Sequence, residues 1–113
     1  MIQIYHNPRC GKSRDTLKIL HERGEDVTIV EYLKESPDAA RIKELIRMLA
    51  ISAHELVRKN ETVYKELYKG KTLTEDEWVQ AMVEHPILIE RPIVVKGKRA
   101  TLGRPPERVI TIL

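Results

Sequence analysis

Ile2-Gln3-Ile4-Tyr5 runs into the break Asn7-Pro8. Next comes Gly11–Arg23, with Leu17, Ile19 and Leu20 along one side, then Gly24, then Val27-Thr28-Ile29-Val30. The first four residues alternate in polarity and predict a short strand. Asparagine followed by proline ends it. The apolar spacing in the next stretch is that of a helix, and Gly24 is placed to close it. The tetrad from Val27 is β-branched throughout and predicts a buried strand. Strand, helix, strand over so short a distance is a βαβ unit with parallel strands.

The last third returns to strand. Pro92-Ile93-Val94-Val95 and Arg99-Ala100-Thr101-Leu102 flank Lys96-Gly97-Lys98, which predicts a hairpin turning near Gly97. Pro105-Pro106 then offers a helix start before Val109, Ile110, Ile112 and Leu113. The middle is helical. Ser36 is placed to cap a helix with Pro37 at its first position, and Ile42, Leu45, Ile46 and Leu49 follow at helical spacing. Ser52–Glu55 and Thr74–Glu77 both have capping-box form, and the second opens a helix with Trp78, Val79 and Met82 that stops before Pro86. Val57-Arg58-Lys59-Asn60 falls at the end of a short helix or in a loop. This order predicts an α+β (α/β) fold: a mixed four-stranded sheet flanked by helices, in the thioredoxin-like layout. It is expected to be one domain over 1–113 with a helical insertion over roughly 34–86.

The 113 residues suffice to bury a core without staples. A net charge of +3 with both signs interspersed suits a small anionic ligand and is too slight an excess to argue for nucleic acid. One cysteine forbids an internal disulfide. Cys10 and the histidines lack metal-ligand spacing, so no metal site is expected, and His21, His54 and His85 read as surface or helix-end residues. Met1-Ile2-Gln3-Ile4 is too short for a leader, and no apolar run reaches spanning length. A cytoplasmic, reducing setting away from membranes is expected.

Cys10 stands at the strand-to-helix junction, in His6-Asn7-Pro8-Arg9-Cys10-Gly11-Lys12-Ser13-Arg14. A lone cysteine is most often a buried, inert hydrophobe. Here its neighbours are a loop, a helix start and three cations. Unpaired helix N–H groups and a positive dipole end favour a thiolate and attract anions. Ser13, one helical turn away, is either a thiolate donor or an ordinary first-turn serine. Gly11 is either an open approach to the backbone N–H groups or a simple loop residue. His6, if protonated near the sulfur, would lower the thiol pKa; unpaired, it is a strand-end histidine. Arginine's planar fork binds two oxygens of one oxyanion, yet spacing alone does not select Arg58, Arg91 and Arg104 from the other arginines.

The chain resembles the glutaredoxin-coupled arsenate reductase family, which is related to the Spx branch. Four motifs carry the resemblance over nearly the whole length: Tyr5–Arg14, Leu56–Asn60, His85–Val95 and Gly103–Pro106. It implies that Cys10 is the nucleophile, that His6 supports its thiolate, and that Arg58, Arg91 and Arg104 hold the oxyanion. In thioredoxin-like folds the position of Pro92 typically holds a cis proline facing the active cysteine. The resemblance also implies arsenate as substrate, arsenite as product, glutathione as co-substrate, glutaredoxin as partner, no bound cofactor, and a monomer. Arg9, bulky and next to the nucleophile, departs from the family pattern. Two other readings remain: an Spx-like regulator that binds RNA polymerase, which the absence of a Cys-x-x-Cys pair disfavours, and a glutathione-dependent thiol oxidoreductase with another substrate.

Overall fold

A computed structural model describes residues 1–113. The chain forms two compact units: Met1–Glu35 with Arg91–Leu113, and Ser36–Glu90.

The first unit is built on β1 (Ile2–Tyr5), α1 (Gly11–Glu22), β2 (Val27–Val30), β3 (Ile93–Lys96) and β4 (Arg99–Leu102), followed by a 3₁₀ helix at Pro106–Ile112. The sheet order is β2-β1-β3-β4. β1 runs parallel to β2 and antiparallel to β3, and β3 is antiparallel to β4. This is the mixed four-stranded sheet that the pattern predicts. Ile2 and Ile4, on one face of β1, pack with Leu20 of α1, Val94 of β3, and Val109 and Ile112 of the final helix into the core. Helix α1 closes where Gly24 was expected to close it: the Gly24 N–H donates to the His21 carbonyl and the Glu25 N–H to the Leu20 carbonyl. That pair of bonds satisfies carbonyls the helix leaves orphaned.

Two expectations shift here. β2 is an edge strand, and its residues are half-buried or exposed; Ile29 keeps 43% of its surface. A β-branched run marks a strand but cannot say whether a neighbour lies on both sides. The closing helix is 3₁₀ rather than α, with Pro105 before it and Pro106 at its first position. The hairpin joins Lys96 to Arg99 through Gly97-Lys98. Gly97 has φ 61°, a conformation open to glycine at the first position of a type II′ turn.

The second unit holds α2 (Ala39–Leu49), α3 (Ala53–Leu56), α4 (Thr62–Leu67), α5 (Glu75–Glu84) and a 3₁₀ turn at Pro86–Leu88. Both predicted capping boxes form, Ser52 with Glu55 and Thr74 with Glu77. The cap of α2 is Asp38 rather than Ser36: its carboxylate accepts the Arg41 N–H at 2.8 Å, which satisfies a donor of the first turn. Helix α4 departs from the predicted elements; none of its residues is fully buried, and it starts at Glu61 without a side-chain cap bond. Helix α5 packs on α2, α3 and the 3₁₀ turn, burying Trp78, Val79 and Met82. His54 stacks on Trp78 with ring centroids 4.8 Å apart, and His85 meets Tyr68 edge-on, so both histidines are ring partners. No helix is long and apolar enough to cross a membrane.

Leu20 is fully buried in the first unit's core. Leu20→Ala is expected to lower unfolding stability by about 3 kcal/mol. Lys18→Ala, on the exposed side of the same helix, should change it by less than about 0.5 kcal/mol. Urea denaturation of both variants reads the difference.

Candidate active site

One row of the sheet organises the site. Tyr5 pairs with Ile93, and Ile93 pairs with Leu102. The residues just after Tyr5, just before Ile93 and just after Leu102 therefore leave the sheet at the same end. These are His6 through Cys10, Arg91-Pro92, and Gly103-Arg104.

The segment from His6 to Cys10 is folded by Asn7. Its side-chain oxygen accepts the Arg9 N–H at 3.0 Å, an Asx turn, and its carbonyl accepts the Cys10 N–H at 2.9 Å. Cys10 is thereby set as the cap of α1 with extended backbone, and its carbonyl accepts the Arg14 N–H. The sulfur thus stands at the helix N-terminus as an acceptor for donors that the helix itself leaves unpaired. Gly11 is exposed, and a Cβ there would meet only the Arg14 guanidinium, at 3.8 Å. Arg9 is exposed beside the nucleophile.

Opposing effects act on the Cys10 thiol. Burial is the largest and pushes its pKa up. The backbone N–H of Ser13, the Arg91 guanidinium through both hydrogen bond and charge, and the Lys12 N–H together overcome it, so the thiol lies below its ordinary value. Arg91 is itself buried, with 9% of its surface exposed, which spares its charge much of the screening by water. Arg104 donates from Nε to the Arg91 carbonyl at 2.7 Å and places Nη2 3.8 Å from Sγ. Arg91 is the guanidinium that lowers the thiol pKa. The Arg91-Pro92 and Arg104-Pro105 peptides are both cis.

His6 takes a different part from the one expected of a cation. Its Nδ1 and the Ser13 Oγ are joined by a buried hydrogen bond of 2.6 Å. Burial lowers the His6 pKa, Glu31 opposes this and Arg14 adds to it, and the net shift is downward. At neutral pH His6 is therefore an uncharged ring that holds Ser13. The Ser13 hydroxyl also accepts the Asn7 N–H at 3.1 Å. It is the backbone of Ser13, rather than its hydroxyl, that lowers the thiol pKa. Spacing leaves both roles of the Ser13 side chain open, because it reports reach along a helix and says nothing of a partner arriving from the preceding strand.

Arg58 belongs to the second unit. Its Nε donates to Glu61 at 3.2 Å and its Nη1 to Glu90 at 2.9 Å. Its backbone N–H donates to the Leu88 carbonyl at 2.7 Å, beside the Val57–Ile89 bridge. No three His, Cys, Asp or Glu side chains gather into a metal-binding cluster. Three residues important to this geometry carried no clear chemical signal in the sequence: Asn7, visible only as a turn former, Thr16 and Gly103. Thr16 is fully buried and its hydroxyl donates to the Lys12 carbonyl at 2.8 Å.

A four-stranded mixed sheet with one cysteine at the first helix's N-terminus and two arginines facing its sulfur defines a thioredoxin-like protein built for thiol chemistry on an anion. Comparison with known proteins agrees. The model of the ArsC family matches residues 5–112, and the chain belongs to that family. It is 48% identical over 114 residues to the uncharacterized protein YfgD of Escherichia coli (strain K12), covering 99% of this chain and 96% of that one. It is 43% identical over 113 residues to an arsenate reductase of the same organism, covering 99% of this chain and 80% of that one. The solved arsenate reductase from Vibrio cholerae superposes with a TM-score of 0.96 at 45% identity, covering 99% of this chain and 97% of that one.

The alkylation rate of Cys10 by iodoacetamide is expected to rise with pH to a midpoint below that of an ordinary cysteine thiol. Because Arg91 favours the charged form, Arg91→Ala should move that midpoint upward and slow alkylation at neutral pH. The pH dependence of the rate in both proteins measures this directly.

Proposed function

We propose that this chain is an arsenate reductase in which Cys10 is the nucleophile. The observation that supports this best is the pairing of a lowered Cys10 thiol with the Arg91 guanidinium at a helix N-terminus. The family supplies the substrate class.

In this reading the Cys10 sulfur attacks the arsenic of arsenate. A sulfur–arsenic bond forms, an arsenic–oxygen bond breaks, and the departing oxygen leaves as water after gaining protons. Arsenic is still pentavalent at this stage. Arg91, Arg104 and the N–H groups at the start of α1 offset the negative charge on the oxyanion and on the leaving oxygen. Arg58 enters through the family resemblance alone. His6 contributes by holding Ser13, whose N–H faces the sulfur.

Two electrons must then reach arsenic. The chain has a single cysteine, so Cys10 and one outside thiol each give one. Glutathione, the proposed donor, attacks the Cys10 sulfur, the sulfur–arsenic bonding pair passes to arsenic, arsenite departs, and a Cys10–glutathione disulfide is left. Overall, arsenate and two thiols give arsenite, one disulfide and water. Glutaredoxin is proposed to resolve the mixed disulfide and return Cys10 to the thiol. The proposed working state is a monomer in the reducing cytoplasm, with no resident cofactor.

Arsenate reduction coupled to NADPH oxidation through glutathione and glutaredoxin tests the reading. Turnover is expected with the native chain and none with Cys10→Ser. Arg91→Ala should lower kcat/KM by about 10²- to 10³-fold, the usual loss of an oxyanion-stabilising donor. Turnover by Cys10→Ser at the native rate would overturn the assignment.

A further inference from the structure

Gly103 is buried and directly precedes Arg104, in the turn that follows β4. Its N–H donates to the Pro92 carbonyl at 2.9 Å. A Cβ on Gly103 would lie 2.4 Å from the Thr16 Oγ1, 3.1 Å from the Thr16 Cγ2 and 2.7 Å from the Pro92 Cγ. Neither neighbour yields easily. Thr16 is fully buried with its hydroxyl committed to the Lys12 carbonyl, and the proline is a buried ring. The main chain at 103 is therefore pressed against α1 on one side and the 91–92 segment on the other. Arg104 then reaches back to the Arg91 carbonyl and to the Cys10 sulfur.

We propose that Gly103 is a positioning residue: its bare Cα, seated between Thr16 and Pro92, sets the Arg91–Arg104 link and so the place of both guanidiniums at the Cys10 sulfur. The same contact ties that link to α1. Thr16 touches Gly103 on one side and the Lys12 carbonyl on the other, one residue before the Ser13 N–H that faces the sulfur. A methyl group at 103 has to part both Thr16 and Pro92 from it, by about 1 Å and about 0.7 Å, to reach ordinary contact. A displacement of that size at a reacting centre costs about 10²-fold in rate. The kinetic consequence rests on the arsenate-reductase reading; the effect on the thiol does not.

The experiment uses the full chain carrying Gly103→Ala, alone and combined with Thr16→Ala. Two quantities are read: the pH midpoint of Cys10 alkylation, which needs no arsenate, and kcat/KM for arsenate. Folded Gly103→Ala is expected to show a raised alkylation midpoint and a loss in kcat/KM of tenfold to a hundredfold. Thr16→Ala, by removing the atoms that the new methyl group strikes, should recover part of both in the double variant. In an Arg104→Ala background, Gly103→Ala should cost markedly less than it does alone, because the two act through one link. An unchanged midpoint and unchanged kinetics in folded Gly103→Ala would overturn the proposal. So would a double variant in which the two losses simply add. If Gly103→Ala does not fold, Thr16→Ala alone decides: loosening the seat should raise the midpoint, and an unaltered midpoint refutes the idea. A midpoint that moves in a protein with no arsenate turnover would sink the proposed reaction and leave the positioning role standing.

Discussion

The row Tyr5–Ile93–Leu102 is the constraint on which the first unit's chemistry depends. Three segments far apart in sequence leave the sheet at that row. One carries the sulfur and the other two carry arginines. A slip of one residue in the β1–β3 pairing would point Val94 away from the face it shares with Ile2 and Ile4 and would carry the segment before Ile93 out of line with Tyr5. The burial of Ile2, Ile4 and Val94 against Leu20 therefore specifies the placement of Arg91 as well as the packing. Stability and chemistry are set by the same hydrogen-bonded ladder.

At the sulfur, two tendencies of opposite sign meet. Burial favours the neutral thiol; fixed N–H groups and a buried guanidinium favour the thiolate, and they prevail. These donors are backbone groups at a helix start and a side chain held in a packed wall. They are already oriented, so little ordering entropy is spent when charge develops on the sulfur. His6 and Ser13 form a layer behind them. The uncharged imidazole, the hydroxyl and the Asn7 N–H lock the first turn of α1 through buried hydrogen bonds of 2.6 and 3.1 Å. A charged histidine would add attraction for the thiolate, but burial disfavours the cation there.

The second unit shows a different use of arginine. Arg58 is clamped by Glu61 and Glu90, and all three side chains are largely shielded from solvent. The clamp holds the fork in one orientation, and two carboxylates offset its charge. The helices around it are assembled by caps and by the aromatic stack on Trp78. The capping boxes were legible because they depend on residues three apart. Helix α4 was not, because its six residues start without a capping side chain and none of them is fully buried.

By itself the sequence determined the local elements: the alternating strand, the helix starting after Cys10, the glycine that ends it, the hairpin about Gly97, and a cysteine set among cations at a helix N-terminus. Each depends on neighbours within a few residues, and local sterics and hydrogen bonding act over that range. The family motifs extended this to named arginines by likeness. Only the tertiary structure decided that β2 lies at an edge, that Arg91 and Arg104 meet the sulfur while His6 turns to Ser13, and that Gly103 has room for no side chain. Those facts depend on which strands pair and which surfaces are buried. Such contacts join residues tens of positions apart, and no local pattern records them.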